Sequence, residues 1–137
     1  MRGDTEDNSS LRRDVLEGRD SPLIVQGWNQ VAMGVRRLRQ LTQLEGFRAL
    51  IVACPLPLML DRPSPHSSYP ERLRRISADE GVPFLDLGPA FGSAYRGHES
   101  LFIPYDGDHP NARGHDLAAR EVVRVIQDAQ AQNNGRP

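Results

Sequence analysis

The residues best suited to chemistry are gathered in one stretch, Tyr105-Asp106-Gly107-Asp108-His109-Pro110-Asn111-Ala112-Arg113-Gly114-His115. Asp106 stands three residues before His109 with Gly107 between them, so its carboxylate can fold back onto the imidazole in a tight turn. A carboxylate bonded to one ring nitrogen leaves the other free to take a proton. That is the orienting-acid and general-base pair of a serine hydrolase. Asp108, adjacent to the histidine, is the weaker candidate for the orienting role. Asp, Gly, Asn and Pro also build ordinary turns and caps, so the pair reads as well as a satisfied turn. A metal site from Asp106, Asp108, His109 and His115 is the third reading. Asp106-x-Asp108 opens like a calcium loop, but Pro110 and Asn111 stand where a ligand and the turn glycine belong. His109 and His115 are six apart and do not share a helical face as zinc ligands in HExxH do.

These residues need elements to position them, and the clearest follows directly. Leu117, Ala118, Val122, Val125, Ile126 and Ala129 line one face of a helix running from Asn111 or Ala112 to Gln130, with Asn111 as its N-cap. Upstream, Phe47–Cys54 (FRALIVAC) is a nearly continuous apolar run ended by Pro55, the pattern of a parallel strand covered on both faces. Residues 55–70 carry five prolines and read as a long irregular loop of the kind that often serves function. Tyr69, Leu73 and Ile76 mark a helix over 70–80 stopped by Gly81, and Val82–Leu87 (VPFLDL) is a second strand, giving a strand–helix–strand crossover. Pro89–Tyr95 is expected as one helical turn and Ser100–Ile103 as a short extended piece.

Toward the N-terminus, Trp28, Val31, Ala32, Val35, Leu38, Leu41 and Thr42 recur at spacings of three and four. They predict an amphipathic helix over 28–45 with Arg36, Arg37 and Arg39 on its outer face and Gly46 as its C-cap. Those arginines lack interleaved aromatics and read as a solvated face, not a nucleic-acid patch. Residues 1–21 are polar and read as a mobile arm with at most a weak helical turn. Pro22–Gln26 (PLIVQ) extends that arm or forms a third strand. Arg2-Gly3-Asp4 and Asn8-Ser9-Ser10 spell an adhesion tripeptide and a glycosylation sequon, but tripeptides of this kind recur by chance.

The run DGDHPNARGHDLAAREV resembles the C-terminal block of the SGNH (GDSL-type) hydrolases, a family of serine esterases, lipases and acyl-modifying enzymes. There an Asp-x-x-His precedes Pro-Asn, a Gly-His or Gly-Tyr pair and the final helix. The order of helix, RALIVAC strand, Pro-rich loop, helix and VPFLDL is similar too, so the resemblance spans about residues 23–130. It implies a three-layer α/β/α fold with a flavodoxin-like parallel sheet, Asp106 as triad aspartate and His109 as triad base. It also implies an ester or O-acyl substrate, small-molecule or carbohydrate, and neither metal nor organic cofactor. The family's Gly-Asp-Ser nucleophile turn and its Gly and Gly-x-Asn-Asp oxyanion segments have no counterpart here. Gly3-Asp4-Thr5 follows no strand, and Ser21 in Gly-Arg-Asp-Ser-Pro lies just before a helix without a strand-to-helix elbow. The chain therefore reads as the C-terminal part of such a domain, over 22–131, truncated at its N-terminus and inactive alone. The other readings are a carbohydrate O-acyltransferase of the same family and a non-catalytic α/β binding module.

Composition bounds the rest. At 137 residues, 38% hydrophobic and 26% charged, the chain suits one globular domain. A net charge of −1 supplies no global field for nucleic acid or an anionic membrane. Its longest apolar run, Ala49–Cys54, is far below the roughly 20 residues of a membrane helix. The first ten residues lack the apolar stretch of a secretory signal. Cys54, the only cysteine, can form no internal disulfide and reads as a small apolar group at the end of a strand. Trp28 reads as core or helix anchor. His66 and His98 have no evident partner, and His115 reads as a cap or packing residue.

Overall fold

The computed structural model describes residues 3–61, 68–106 and 108–134. It is a mixed α/β chain with one two-stranded parallel sheet, β1 (Ile51–Ala53) beside β2 (Phe84–Asp86). Around the strands the order is α1 (Gly3–Glu17), α2 (Pro22–Glu45), α3 (Pro57–Asp61), α4 (Ser68–Asp79), α5 (Gly88–Ala94), a 3-10 turn (His98–Ser100) and α6 (Ala112–Asn134). The backbone groups into two compact units, one containing α1, α2 and α4, the other α3, α5 and α6.

In the first unit the structure corrects the expected polar arm, because residues 3–17 are helical. Leu11 and Val15 lie one turn apart, and both line an apolar cleft of about 550 Å³ with Ile24, Trp28 and Leu73. Tertiary contact thus supplies what so few apolar residues could not sustain alone. Gly18, at φ 72, ends the helix as Arg19 N–H bonds back to Asp14 O at 2.9 Å. Pro22–Gln26 is neither arm nor strand but the start of α2. Ser21 accepts from Ile24 N–H at 3.3 Å and Pro22 opens the first turn. Ile24, Trp28, Val31 and Val35 share the helical spacing, and the expected helix over 28–45 begins earlier, at Pro22. Gly46, at φ 71, closes the helix as the expected C-cap. Of the arginines on the helix's outer face, Arg36 reaches Glu80 at 2.7 Å. Arg72, on α4, stacks over Trp28 at 5.5 Å and pairs with Asp20. Exposed pairs of this kind contribute little stability.

The strands are shorter than expected. Ile51 N–H donates to Pro83 O at 2.9 Å, and Leu87 N–H donates to Ala53 O at 3.0 Å. With only a three-residue partner, Phe47–Leu50 stays outside the ladder, and Val52 is 38% exposed. The expectation of a strand covered on both faces is therefore not met. Of the Pro-rich loop, Pro57–Asp61 is helical, and residues 62–67, including His66, lie outside the described residues.

The second unit holds a hydrophobic core cluster in which Leu87, Phe91, Leu101 and Phe102 are buried. Cys54, Leu60, Leu85, Tyr95 and Leu117 pack around them, and burial pushes the Cys54 thiol pKa up. Phe102 sits against the rings of Phe91 (6.1 Å), Tyr95 (6.3 Å) and His98 (5.6 Å). The Tyr95 hydroxyl donates to Asp61 at 2.7 Å, and desolvation, then that carboxylate, raise its pKa to about 12. Residues 100–103 are not an extended strand; a 3-10 turn leads into a single antiparallel bridge, Phe102 to Pro110.

Gly114, in the first turn of α6, is buried where this bridge meets the helix. A Cβ there would collide with the Leu101 carbonyl oxygen and lie 2.9 Å from Pro110 Cβ. Alanine in a helix interior ordinarily gains about 1 kcal/mol over glycine. Here Gly114→Ala is expected to destabilise the protein by roughly 1–3 kcal/mol, the range for overpacking. Urea unfolding, with the unobstructed Gly92→Ala as control, checks this.

Candidate active site

The bridge between Phe102 and Pro110 clamps the base of the loop 103–109, and Ile103 N–H donates to His109 O at 3.0 Å beside it. Asp106 N–H closes a turn on Ile103 O at 3.2 Å. The Asp106 side chain then organises the far side of the loop. Its Oδ1 accepts from the backbone N–H of Asp108 at 2.9 Å and of His109 at 3.1 Å, an Asx turn of the kind Asp favours. His109 Nδ1 lies 2.9 Å from Oδ1 and 3.0 Å from Oδ2 of the same carboxylate. The two sequence-selected residues are thus together, and the turn reading and the dyad reading describe one geometry.

A carboxylate accepts and cannot donate, so Nδ1 carries the proton and Nε2 of the neutral ring carries the lone pair. The His109 side chain is 74% exposed, so Nε2 is open to an incoming group. The arrangement can take a proton from a hydroxyl and return it to a leaving group. The bond from the His109 ring holds the Asp106 carboxyl below the usual carboxylate range; the His109 backbone N–H adds to this, and burial opposes it. The imidazole of His98 contributes a smaller pull of the same sign.

Two residues matter more here than their sequence context suggests. Asn111 is the expected N-cap, its Oδ1 accepting from Arg113 N–H at 2.9 Å and Gly114 N–H at 3.0 Å. Its amide nitrogen also donates to the carbonyls of Glu99 (3.0 Å) and Phe102 (3.1 Å), bolting the loop base to α6. His98, without an evident partner in the sequence, bonds through Nε2 to Ile103 O at 3.0 Å and packs on Phe102. Only the fold of 98–103 makes that contact, and no spacing signal announces it.

The other candidates fall elsewhere. Asp108 joins the turn through its backbone N–H. His115 is exposed on α6, and its N–H bonds to Asn111 O within the helix, so it neither caps nor packs through its ring. Ser21 spends its hydroxyl capping α2. Among the described residues no three His, Cys, Asp or Glu side chains converge to hold a metal ion. No helix among them is long and apolar enough to cross a membrane.

The depressed carboxyl gives a pH dependence of known sign. The pair contributes stability above the unfolded aspartate value of about 3.9 and loses it as pH falls through the lower folded value. Carboxyl-carbon NMR is expected to show Asp106 titrating below that value. In His109→Ala the midpoint is expected to move part of the way back up, since the backbone donors remain.

Comparison of the chain with protein-family models, with curated proteins and with solved structures gives no match in any of the three.

Proposed function

We propose that the chain carries the acid–base half of an SGNH-type serine hydrolase acting on an ester or O-acyl bond. The observation that carries this reading is the Asp106 carboxylate against His109 Nδ1 at 2.9 and 3.0 Å, with Nε2 open to solvent. In that role His109 takes the proton of a serine hydroxyl as it attacks the ester carbonyl. It then returns the proton to the departing alcohol, while Asp106 holds the ring and stabilises the imidazolium. Water repeats the sequence to release the acid. The reading includes the family's three-layer α/β/α arrangement, into which the parallel pair β1–β2 would fit as neighbouring strands. No step in it needs a metal or an organic cofactor.

The serine and its oxyanion donors belong to segments without a counterpart in these 137 residues. A base alone supplies neither the bond-forming oxygen nor the stabilisation of the tetrahedral oxyanion. The 137-residue chain is therefore expected to remain unlabelled by a fluorophosphonate probe. The reading frame upstream of the Met1 codon is expected to encode an apolar strand followed by Gly-Asp-Ser. The extended chain is expected to be labelled and to hydrolyse p-nitrophenyl acetate, with His109→Ala lowering turnover by a factor on the order of 10⁴. An upstream stop codon, or an extended chain whose labelling ignores His109, overturns the proposal.

A further inference from the structure

The outward face of α2 is apolar where a solvated helix is polar. Met33 follows the buried Ile24 by nine residues and Leu44 follows the buried Val35 by nine, about two and a half turns each. Both therefore lie opposite the packed side of the helix, and they are 60% and 78% exposed. Arg36, Arg37, Gln40 and Leu41 lie between them, and these six side chains line one open depression of about 490 Å³. Phe47, just past the C-cap, is exposed as well. A single exposed leucine is ordinary, but Met33, Leu41, Leu44 and Phe47 together form an apolar strip.

Charge sets the same face apart. Arg36, Arg72, Arg120 and Arg124 each pair with a carboxylate. The side chains of Arg37, in the depression, and Arg48, next to Phe47, make no hydrogen bond or ion pair among the described residues. Glu45 is the only acidic residue of α2. Open guanidinium groups among exposed Met, Leu and Phe side chains suit a partner that is anionic and apolar at once. A second copy of the chain fits poorly, because a symmetric contact here would gather four arginines with no acid in the depression to balance them. A peptide helix needs a groove, yet every residue lining the depression belongs to α2, so there is no second wall. A bilayer needs none: its phosphates meet the arginines while its acyl boundary takes the apolar side chains.

We propose that this face of α2 docks the protein on an anionic phospholipid surface. Met33, Leu41, Leu44 and Phe47 enter the headgroup layer, and Arg37 and Arg48 lie on the phosphates. The helix lies along the surface and does not cross it. The overall charge of −1 does not oppose this, because screening leaves the charges nearest the membrane to set the attraction. The docking face shares no residue with the Asp106–His109 pair and does not rest on the hydrolase reading.

Sedimentation of the 137-residue chain with lipid vesicles tests this. Binding is expected to vesicles of phosphatidylcholine and phosphatidylglycerol in equal parts, weakening as salt is raised, and not to phosphatidylcholine alone. Arg37→Gln is expected to weaken partitioning roughly 5-fold and Leu44→Ser roughly 3- to 10-fold. Arg124→Gln, which removes an already paired charge from α6, is expected to leave it unchanged. These side chains are exposed, so each variant is expected to keep its Tm within about 2 °C of the parent. Equal binding to neutral and anionic vesicles overturns the proposal. So does undiminished binding by Arg37→Gln or Leu44→Ser, or a loss in Arg124→Gln as large as in Arg37→Gln. Failure to bind anionic vesicles at low salt overturns it too, whether the chain instead forms a dimer that Leu44→Ser dissociates or captures a Glu- and Leu-rich amphipathic peptide.

Discussion

Asn111 is the residue on which the candidate site depends. One side-chain oxygen caps the backbone of α6 by taking two of its orphan N–H groups, and the amide nitrogen takes two carbonyls from the segment before the loop. Its own N–H adds a bond to Leu101 O at 2.9 Å. The ends of the 103–109 loop are therefore tied to the first turn of a long helix. Gly114 permits the close approach that these bonds require, since any side chain there would occupy the space of the Leu101 carbonyl. The loop inherits its position from the helix.

Within the loop, hydrogen-bond geometry takes the part that burial takes in a more enclosed site. His109 is largely solvent-facing and Asp106 partly so, so the surrounding dielectric is high and Coulombic attraction between them is weak. What holds the carboxylate ionised is the set of donors aimed at it: two backbone N–H groups and one ring N–H. Such a pair is preorganised as to tautomer and direction without being desolvated. The buried Phe102 ring, packed on Phe91, Tyr95 and His98, gives the base of the loop its rigidity.

Much of this is legible in the chain itself. The Asp-Gly-Asp-His spacing of 106–109, the Asn111 cap and the apolar stripe of α6 are local, and local patterns are what a sequence displays. The start of α2 is easily misplaced because Leu23-Ile24-Val25 looks like a strand, while Ser21-Pro22 is the stronger signal of a helix start. The helix over 3–17 is hard to see for a different reason: Leu11 and Val15 count for little alone and gain their value from Ile24, Trp28 and Leu73 across the cleft. Strand lengths are overstated because an apolar run marks a tendency to be covered, whereas a ladder extends only as far as its partner.

The sequence by itself determined the pairing of Asp106 with His109, since three residues and a turn are enough to bring them together. It also determined the caps at Gly46 and Asn111, each set by a side chain or a φ preference of one residue. Only the tertiary structure decided what Asn111 does with its amide nitrogen, where His98 points and why Gly114 must lack a side chain. Those depend on contacts between segments that approach only when α6 packs against Leu101 and Phe102, and no spacing in the chain encodes that approach.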